Sequence, residues 1–269
     1  MFKQSCTVVE NKKIAPGHWV MKLHSRAIAD IAKPGQFVQV LCADDSYDPL
    51  LPRPFSFLDA RGDVFSILYH VVGKGTELMS KVKKNGSLRL LGPLGNGFSL
   101  TAAPQAVLVG GGVGIPPLYH LTRILLHAKP SFKKSIHVFL GARNRSLLLC
   151  ENEFKKLGIR LNVATDDGSR GHKGLVTETF AEFLKKTEAS ETQIYTCGPT
   201  PMLKAVSAIA GKFKIPCEVS VEVPMACGFG ACLGCAIKVR SQSPPSSEYR
   251  FAIACTEGPV FQASEIVWD

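Results

Sequence analysis

Residues 225–236 read M-A-C-G-F-G-A-C-L-G-C-A, which sets Cys227, Cys232 and Cys235 in a C-x4-C-x2-C run with Gly228, Gly230 and Gly234 between them; Cys255 follows at a distance. Three thiolates on a glycine-rich loop plus one remote thiolate is the ligand spacing of a plant-type [2Fe-2S] centre. A loop wrapped around a cluster needs positive φ angles and close backbone approach, and its N–H groups then turn toward sulfur. Structural zinc prefers C-x2-C pairs with a second pair downstream, and that second pair is missing here. A cluster of this kind moves one electron at a time, so the rest of the chain is expected to supply the other half of an electron-transfer device.

Several other stretches suit phosphate and ring binding. In Arg53-Pro54-Phe55-Ser56, Pro52 and Pro54 stiffen the backbone around Arg53, which can offer a rigid fork to a diphosphate. Ser56 has a hydroxyl and an N–H suited to a flavin ring edge. Leu68-Tyr69-His70 closes an expected strand, and Gly75 and Thr76 sit where a helical stretch over 77–82 begins, a position whose N–H groups bind phosphate. Tyr69 and His70 also read as ordinary strand packing. Farther on, Ala106–Leu118 gives strand, glycine loop (Gly111, Gly112, Gly114) and a helix opening at prolines, a natural diphosphate site. It is not the Rossmann G-x-G-x-x-G, and Arg143 stands where a ribose-binding acid is expected. Cys197-Gly198-Pro199 repeats the strand–turn–helix pattern. Asp166 and Asp167 fall on the same sheet edge, either as ribose ligands or as a solvated Asx turn.

The elements that must position these residues fall into three pieces. Short apolar segments at 6–10, 19–23, 36–42, 64–71 and 87–91, punctuated by turns such as Lys33-Pro34-Gly35 and Lys84-Asn85-Gly86, predict an all-β barrel or sandwich over residues 1–101. Over 102–216, expected strands at 107–109, 136–140, 160–164 and 193–196 alternate with expected helices at 116–127, 151–157, 176–185 and 200–212, the pattern of a parallel α/β sheet. Residues 217–269 form a third piece carrying the cysteine loop, with a polar stretch at 241–248 expected to be a mobile turn.

Composition narrows the class. The 269 residues are 45% apolar, enough for two ordinary cores and a small appendage, and the net charge of +10 is scattered rather than gathered into a run interleaved with aromatics. A nucleic-acid partner is therefore not expected; a basic face for an anionic cofactor or acidic partner is. No apolar run reaches spanning length, and the first residues lack a signal-peptide core. Of nine cysteines, Cys6, Cys42, Cys150 and Cys217 read as small buried hydrophobes. An odd remainder of thiols outside the cluster set argues against disulfides and for a reducing, cytoplasmic setting.

Together, R-P-x-S, G-G-G-x-G, C-G-P and the final C-x4-C-x2-C…C resemble the ferredoxin–NADP reductase superfamily and, within it, the electron-transfer subunits of the class 1B dihydroorotate dehydrogenases. The resemblance covers nearly the whole chain. It implies an antiparallel FAD-binding β-barrel, a parallel α/β domain binding NAD, and a small [2Fe-2S] domain. By motif it implies FAD at Arg53, Pro54, Phe55, Ser56, Leu68, Tyr69, His70, Gly75 and Thr76, with the cluster on Cys227, Cys232, Cys235 and Cys255. It further implies an FMN-containing catalytic partner that oxidises dihydroorotate, in a heterotetramer of two plus two. His70 stands where many relatives have arginine, and Glu222-Val223-Pro224 replaces a common acidic–basic pair. The alternatives are an NAD(P)H-linked ferredoxin oxidoreductase or sulfhydrogenase subunit and, more distantly, a zinc-stabilised binding module without redox activity.

Overall fold

The computed structural model describes residues 2–43, 47–100, 102–241 and 249–268. Apart from Ser241, the polar stretch expected to be a mobile turn lies outside the described residues.

Six antiparallel strands close into a barrel. In chain order they are β1 (Phe2–Ala15), β2 (His18–His24), β3 (Phe37–Leu41), β4 (Arg53–Arg61), β5 (Val64–His70) and β6 (Ser87–Leu94), with α1 (Arg26–Ala29) after β2 and α2 (Lys74–Lys81) after β5. The order around the barrel is β1-β2-β5-β4-β3-β6, and β6 pairs back onto β1. β4 is the barrel strand that the apolar pattern does not predict. Its Pro54 looks like a strand breaker, but it sits next to the strand start, opposite Gln39, where one missing donor is tolerated. Val38 and Val40 point inward with Met21, Leu23, Phe57, Phe65 and Ile67. Phe37 and Gln39, on the other face of β3, are buried as well, so something outside the barrel covers them.

The second layer is a sheet flanked by helices: β7 (Gln105–Gly111), α3 (Ile115–Ala128), β8 (Ile136–Ala142), α4 (Glu151–Leu157), β9 (Arg160–Thr165), β10 (His172–Lys173), α5 (Val176–Leu184), β11 (Thr192–Cys197), α6 (Thr200–Phe213) and β12 (Cys217–Ser220). All these strands pair in parallel. The pale of the sheet runs past the expected boundary at 216, because Cys217–Ser220 continues it beside β11. Side chains of α3 and α4 pack on one face, and those of α5 and α6 on the other. α3 also packs on barrel strand β4: Arg123 pairs with Asp59 at 2.8 Å, and the buried His120 meets the Phe57 ring edge-on, both its ring nitrogens lacking a partner among the described residues.

The third piece is an insertion in this sheet. After β12 the chain leaves, forms the cysteine loop and the hairpin β13 (Ala236–Arg240) and β14 (Tyr249–Ile253), then returns as β15 (Val260–Gln262) antiparallel to β12. Its core, including Cys235, Cys255, Val239, Ala252 and Ile266, is shared with Phe37 of β3. This lobe is the cover over the outer face of β3. Two clasps hold it. The Asn96 N–H donates to Gly258 O at 2.6 Å, and the Asn96 amide donates to the carbonyls of Thr256 and Glu257. Glu218 of β12 accepts from Ser99 N (2.9 Å) and Oγ (2.6 Å) and from Gln262 Nε2. No helix among the described residues is long and apolar enough to cross a membrane.

Candidate functional site

The sheet order, β10-β9-β8-β7-β11-β12-β15, locates a ligand crevice before any side chain is considered. From β7 the chain proceeds outward through β8, β9 and β10, then crosses back to place β11 on the other side. In open α/β sheets ligands bind beyond the carboxyl ends of the strands at this reversal. The glycine loop follows β7 and Cys197-Gly198-Pro199 follows β11, so the two turns meet there. They are pressed together: a Cβ on Gly114 would lie 2.5 Å from the carbonyl carbon of Cys197 and from Gly198 Cα. Gly112, at φ 55°, has open space instead. Gly114 and Gly198 therefore shape the crevice from behind, while Gly111, Gly112 and Pro199 line it.

The crevice is a cavity of about 710 Å³, whose wall also holds His70, Arg143, Asp166 and Met202. Asp166 and Asp167 have separated roles. Asp166 faces the cavity, whereas Asp167 accepts from Ser169 N and Oγ at 2.9 and 2.6 Å and is the Asx turn.

A second cavity, of about 530 Å³, adjoins the first between barrel and sheet. It is lined by Arg53, Pro54, Phe55, Ser56, Leu68, Tyr69, His70, Gly75 and Thr76, which brings together every residue that the resemblance assigns to FAD. The two cavities share His70 and Val113. Arg53 is held in place by donating from Nη1 to the carbonyls of Leu51 (2.6 Å) and Pro52 (3.2 Å). Gly75 approaches Cys42 so closely that a Cβ would stand 3.2 Å from its Sγ. The Thr76 hydroxyl accepts from Val72 N and Gly73 N and folds the loop at the start of α2, whose first-turn N–H groups have no intrahelical acceptors. Tyr69 is at once cavity wall and barrel core: its hydroxyl donates to Asn11 and burial pushes its pKa up to about 12. His70 stacks on His18 at 4.2 Å, and burial followed by the neighbouring His18 lowers its pKa.

Cys197, whose backbone abuts the glycine loop at Gly114, lines the barrel-side cavity rather than the crevice; burial raises its thiol pKa. Beside it lie Ser220 and Glu222, which the sequence reading did not place in a site. Glu222 keeps solvent contact, yet the surrounding walls raise its carboxyl pKa. The missed signal was the short strand Cys217–Ser220, whose carboxyl end delivers Glu222 to the same sheet edge.

The cysteine loop stands against the barrel. Gly228 and Gly230 take φ of 80° and 89°, as a wrapped loop requires, but Leu233 rather than Gly234 is the third left-handed residue, at 57°. The thiols come in two pairs. Cys227 accepts from Cys232 N (3.5 Å), and Cys235 accepts from Cys255 N (3.4 Å). Among the described residues, no three His, Cys, Asp or Glu side chains gather on one ion-sized point. A [2Fe-2S] centre takes two protein ligands on each iron, so a two-plus-two donor set fits it. Burial opposes ionisation of Cys227, but N–H groups of Phe229, Cys232 and Ala231 outweigh it and bring the thiol down to about 6, the thiolate form a metal needs. Cys255, with burial and Cys235 acting on it, is raised to about 12. Cys232, Phe229 and Leu233 are exposed at the loop's apex. Cys6, Cys42, Cys150 and Cys217 are buried and free.

A barrel and a parallel sheet meeting at two joined cavities, with a cysteine lobe set against the barrel, define a reductase of the ferredoxin–NADP reductase type extended by an iron–sulfur lobe. Residues 108–208 match the family model of the oxidoreductase NAD-binding domain, and residues 222–267 that of the iron-sulfur cluster binding domain of dihydroorotate dehydrogenase B. The solved structure of an NADH-dependent reduced ferredoxin-NADP oxidoreductase is similar at TM-score 0.84 and 32% identity, over 98% of this chain and 90% of that one. The dihydroorotate dehydrogenase B (NAD(+)) electron transfer subunit of Desulforamulus reducens is 39% identical over 95% of both chains, and that of Bacillus caldolyticus 39% identical over 98% of both. The chain belongs to the family of dihydroorotate dehydrogenase B electron transfer subunits.

Proposed function

We propose that this chain passes electrons from a partner dehydrogenase to NAD+, by way of a [2Fe-2S] cluster on Cys227, Cys232, Cys235 and Cys255 and an FAD in the cavity walled by Arg53, Ser56 and Thr76. The observation that carries the reading is the shared wall. His70 and Val113 border both cavities, so a ring in the barrel cavity and a nicotinamide in the crevice meet there, while Val223, Pro224 and Met225 of the cysteine lobe line the barrel cavity and not the crevice. Flavin, when bound, exchanges a hydride with nicotinamide and single electrons with an iron–sulfur cluster.

The chain's own residues supply position and charge. Arg53, fixed by two carbonyls, and the first turn of α2 take the FAD diphosphate; Ser56 faces the flavin ring edge. Gly111, Gly112 and Pro199 take the nicotinamide diphosphate, and Asp166 the ribose. The exposed apex at Phe229, Cys232 and Leu233 faces the partner, an FMN-containing subunit that oxidises dihydroorotate to orotate, in a heterotetramer of two plus two. The balance is dihydroorotate and NAD+ to orotate, NADH and one proton. The five buried cysteines outside the cluster set, Cys6, Cys42, Cys150, Cys197 and Cys217, form no disulfide and support a reducing, cytoplasmic setting.

The test is cofactor content. The purified chain should carry FAD and about two irons, with [2Fe-2S] absorbance. Cys232→Ser should bleach the cluster spectrum and leave the flavin, and Cys150→Ser should alter neither. Iron lost from Cys150→Ser and kept by Cys232→Ser would show the ligand assignment to be wrong; a colourless protein holding zinc would replace the reading altogether.

A further inference from the structure

The outer face of β3 holds one polar side chain under the cysteine lobe. Gln39 is 1% exposed, and neither its Nε2 nor its Oε1 has a hydrogen-bond partner among the described residues. Buried amides without partners are rare and point to a group the protein itself does not provide. The loop presses on this amide: a Cβ on Gly228 would lie 2.5 Å from Gln39 Cγ and Nε2. Only glycine lets the residue after Cys227 rest there. The next outward position on the strand, Phe37, is apolar and packs into the core that contains Cys235 and Cys255. An apolar side chain at 39 would pack the same interface without burying two donor hydrogens and an acceptor. Gln39 is also placed between the two cofactor sites, since its strand neighbours across the β3–β4 ladder are Pro54 and, two residues along, Ser56 opposite Phe37, all in the FAD cavity wall.

We infer that the Gln39 amide donates a hydrogen bond to a sulfur of the cluster held by the Cys227 loop, fixing the cluster against the flavin wall and holding its reduction potential up. The inference rests on the cluster reading above. Reduction adds negative charge to the cluster, so a donor to sulfur favours the reduced form. Gln39 is a positioning residue, acting through the cluster rather than on a substrate.

The test compares wild type with Gln39→Met, which keeps the volume and removes the donor, by redox titration followed through the EPR signal of the reduced cluster. With iron and FAD retained, the variant should show at least a tenfold lower reduced-to-oxidised ratio at a fixed potential, about 59 mV for one electron. A ratio within about threefold of wild type, under 30 mV by the same constant, overturns the inference. Should Gln39→Met fail to hold iron, wild-type protein with 15N in its glutamine side chains decides: pulsed EPR of the reduced cluster should show a coupled side-chain nitrogen, and no such coupling overturns the inference. A wild type with no [2Fe-2S] signal overturns the site reading and this one together; a wild type with the signal and an unshifted variant overturns this one alone.

Discussion

Gly114→Ala and Gly112→Ala separate the two jobs of the glycine loop. At Gly114 the backbone is ordinary, φ −80° and ψ −5°, so alanine carries no conformational penalty. The obstacle is space. The new methyl would stand 2.5 Å from backbone atoms of Cys197 and Gly198, against an ordinary contact beginning near 3.4 Å. The neighbours are main chain at the end of a central strand, and they cannot rotate away. β7 and β11 must part by about 1 Å at their carboxyl ends, so the cost falls toward the upper end of overpacking, about 3 kcal/mol. At Gly112 the balance is reversed: nothing stands within 4 Å, but φ is 55°, and a left-handed alanine costs about 1 kcal/mol. For a chain of this size each kcal/mol moves the thermal midpoint by about 2–4 °C. Gly114→Ala should therefore melt about 6–12 °C below wild type and Gly112→Ala about 2–4 °C below. Differential scanning calorimetry gives the midpoints and NADH titration the binding loss, which should be larger for Gly114→Ala because both turns move. If Gly114→Ala is no less stable than Gly112→Ala, the argument from close approach is refuted.

Arg53→Ala should weaken FAD retention by about 1.5–3 kcal/mol, the size of a charge-assisted hydrogen bond; flavin content after gel filtration measures it, and full occupancy counts against the diphosphate role. Burial holds His120 at about 4, below its ordinary 6.5, so the unfolded chain takes up this proton first and stability is lost as the pH falls from 6.5 toward 4. Between pH 7 and 5 the wild type should lose about 2 kcal/mol more than His120→Phe, measured by urea unfolding, and parallel losses would dismiss the buried imidazole as the cause. Arg143 and Asp166 wall one cavity; with Asp166 on the ribose as proposed, the wild type should favour NADH over NADPH in a dye-reduction assay, and a tenfold preference for NADPH that Arg143→Ala abolishes would reverse the assignment.

The sequence was most legible where signals are local. The helix over 151–157 has the ends expected of it, and that over 176–185 differs by one residue, because their apolar spacing and flanking turns act within one element. Arg53, Tyr69 and Gly75, picked out as short motifs, do line one cavity, because each motif sits at the end of a neighbouring strand or the start of the following helix. What stayed hidden depends on distant partners. β4 was masked by Pro54, which only its place at the strand start makes acceptable. Cys217–Ser220 is four residues long and becomes a strand by lying beside β11. Glu222 entered the cavity wall only once that strand was placed, and nothing local distinguishes Asp166 from Asp167. Phe37 and Gln39 read as one ordinary side of a strand until the lobe is seen to cover them.

The return of the chain as β15 has a consequence for how the protein is made. Ribosomes deliver β12 some forty residues before β15, with the cysteine loop in between. Until β15 arrives, one border of the parallel sheet is an unpaired strand edge, the kind of surface that recruits other chains. The contacts of Asn96 with Thr256 and Glu257 and the capping of that border by β15 are therefore completed late in synthesis. Cys255, the last of the four cysteines, is delivered in the same stretch. A cell short of iron would accumulate chains whose lobe is unsettled and whose sheet border opens more often, so inclusion bodies under iron limitation, relieved by co-expressed cluster-assembly factors, are the expected mark of this topology.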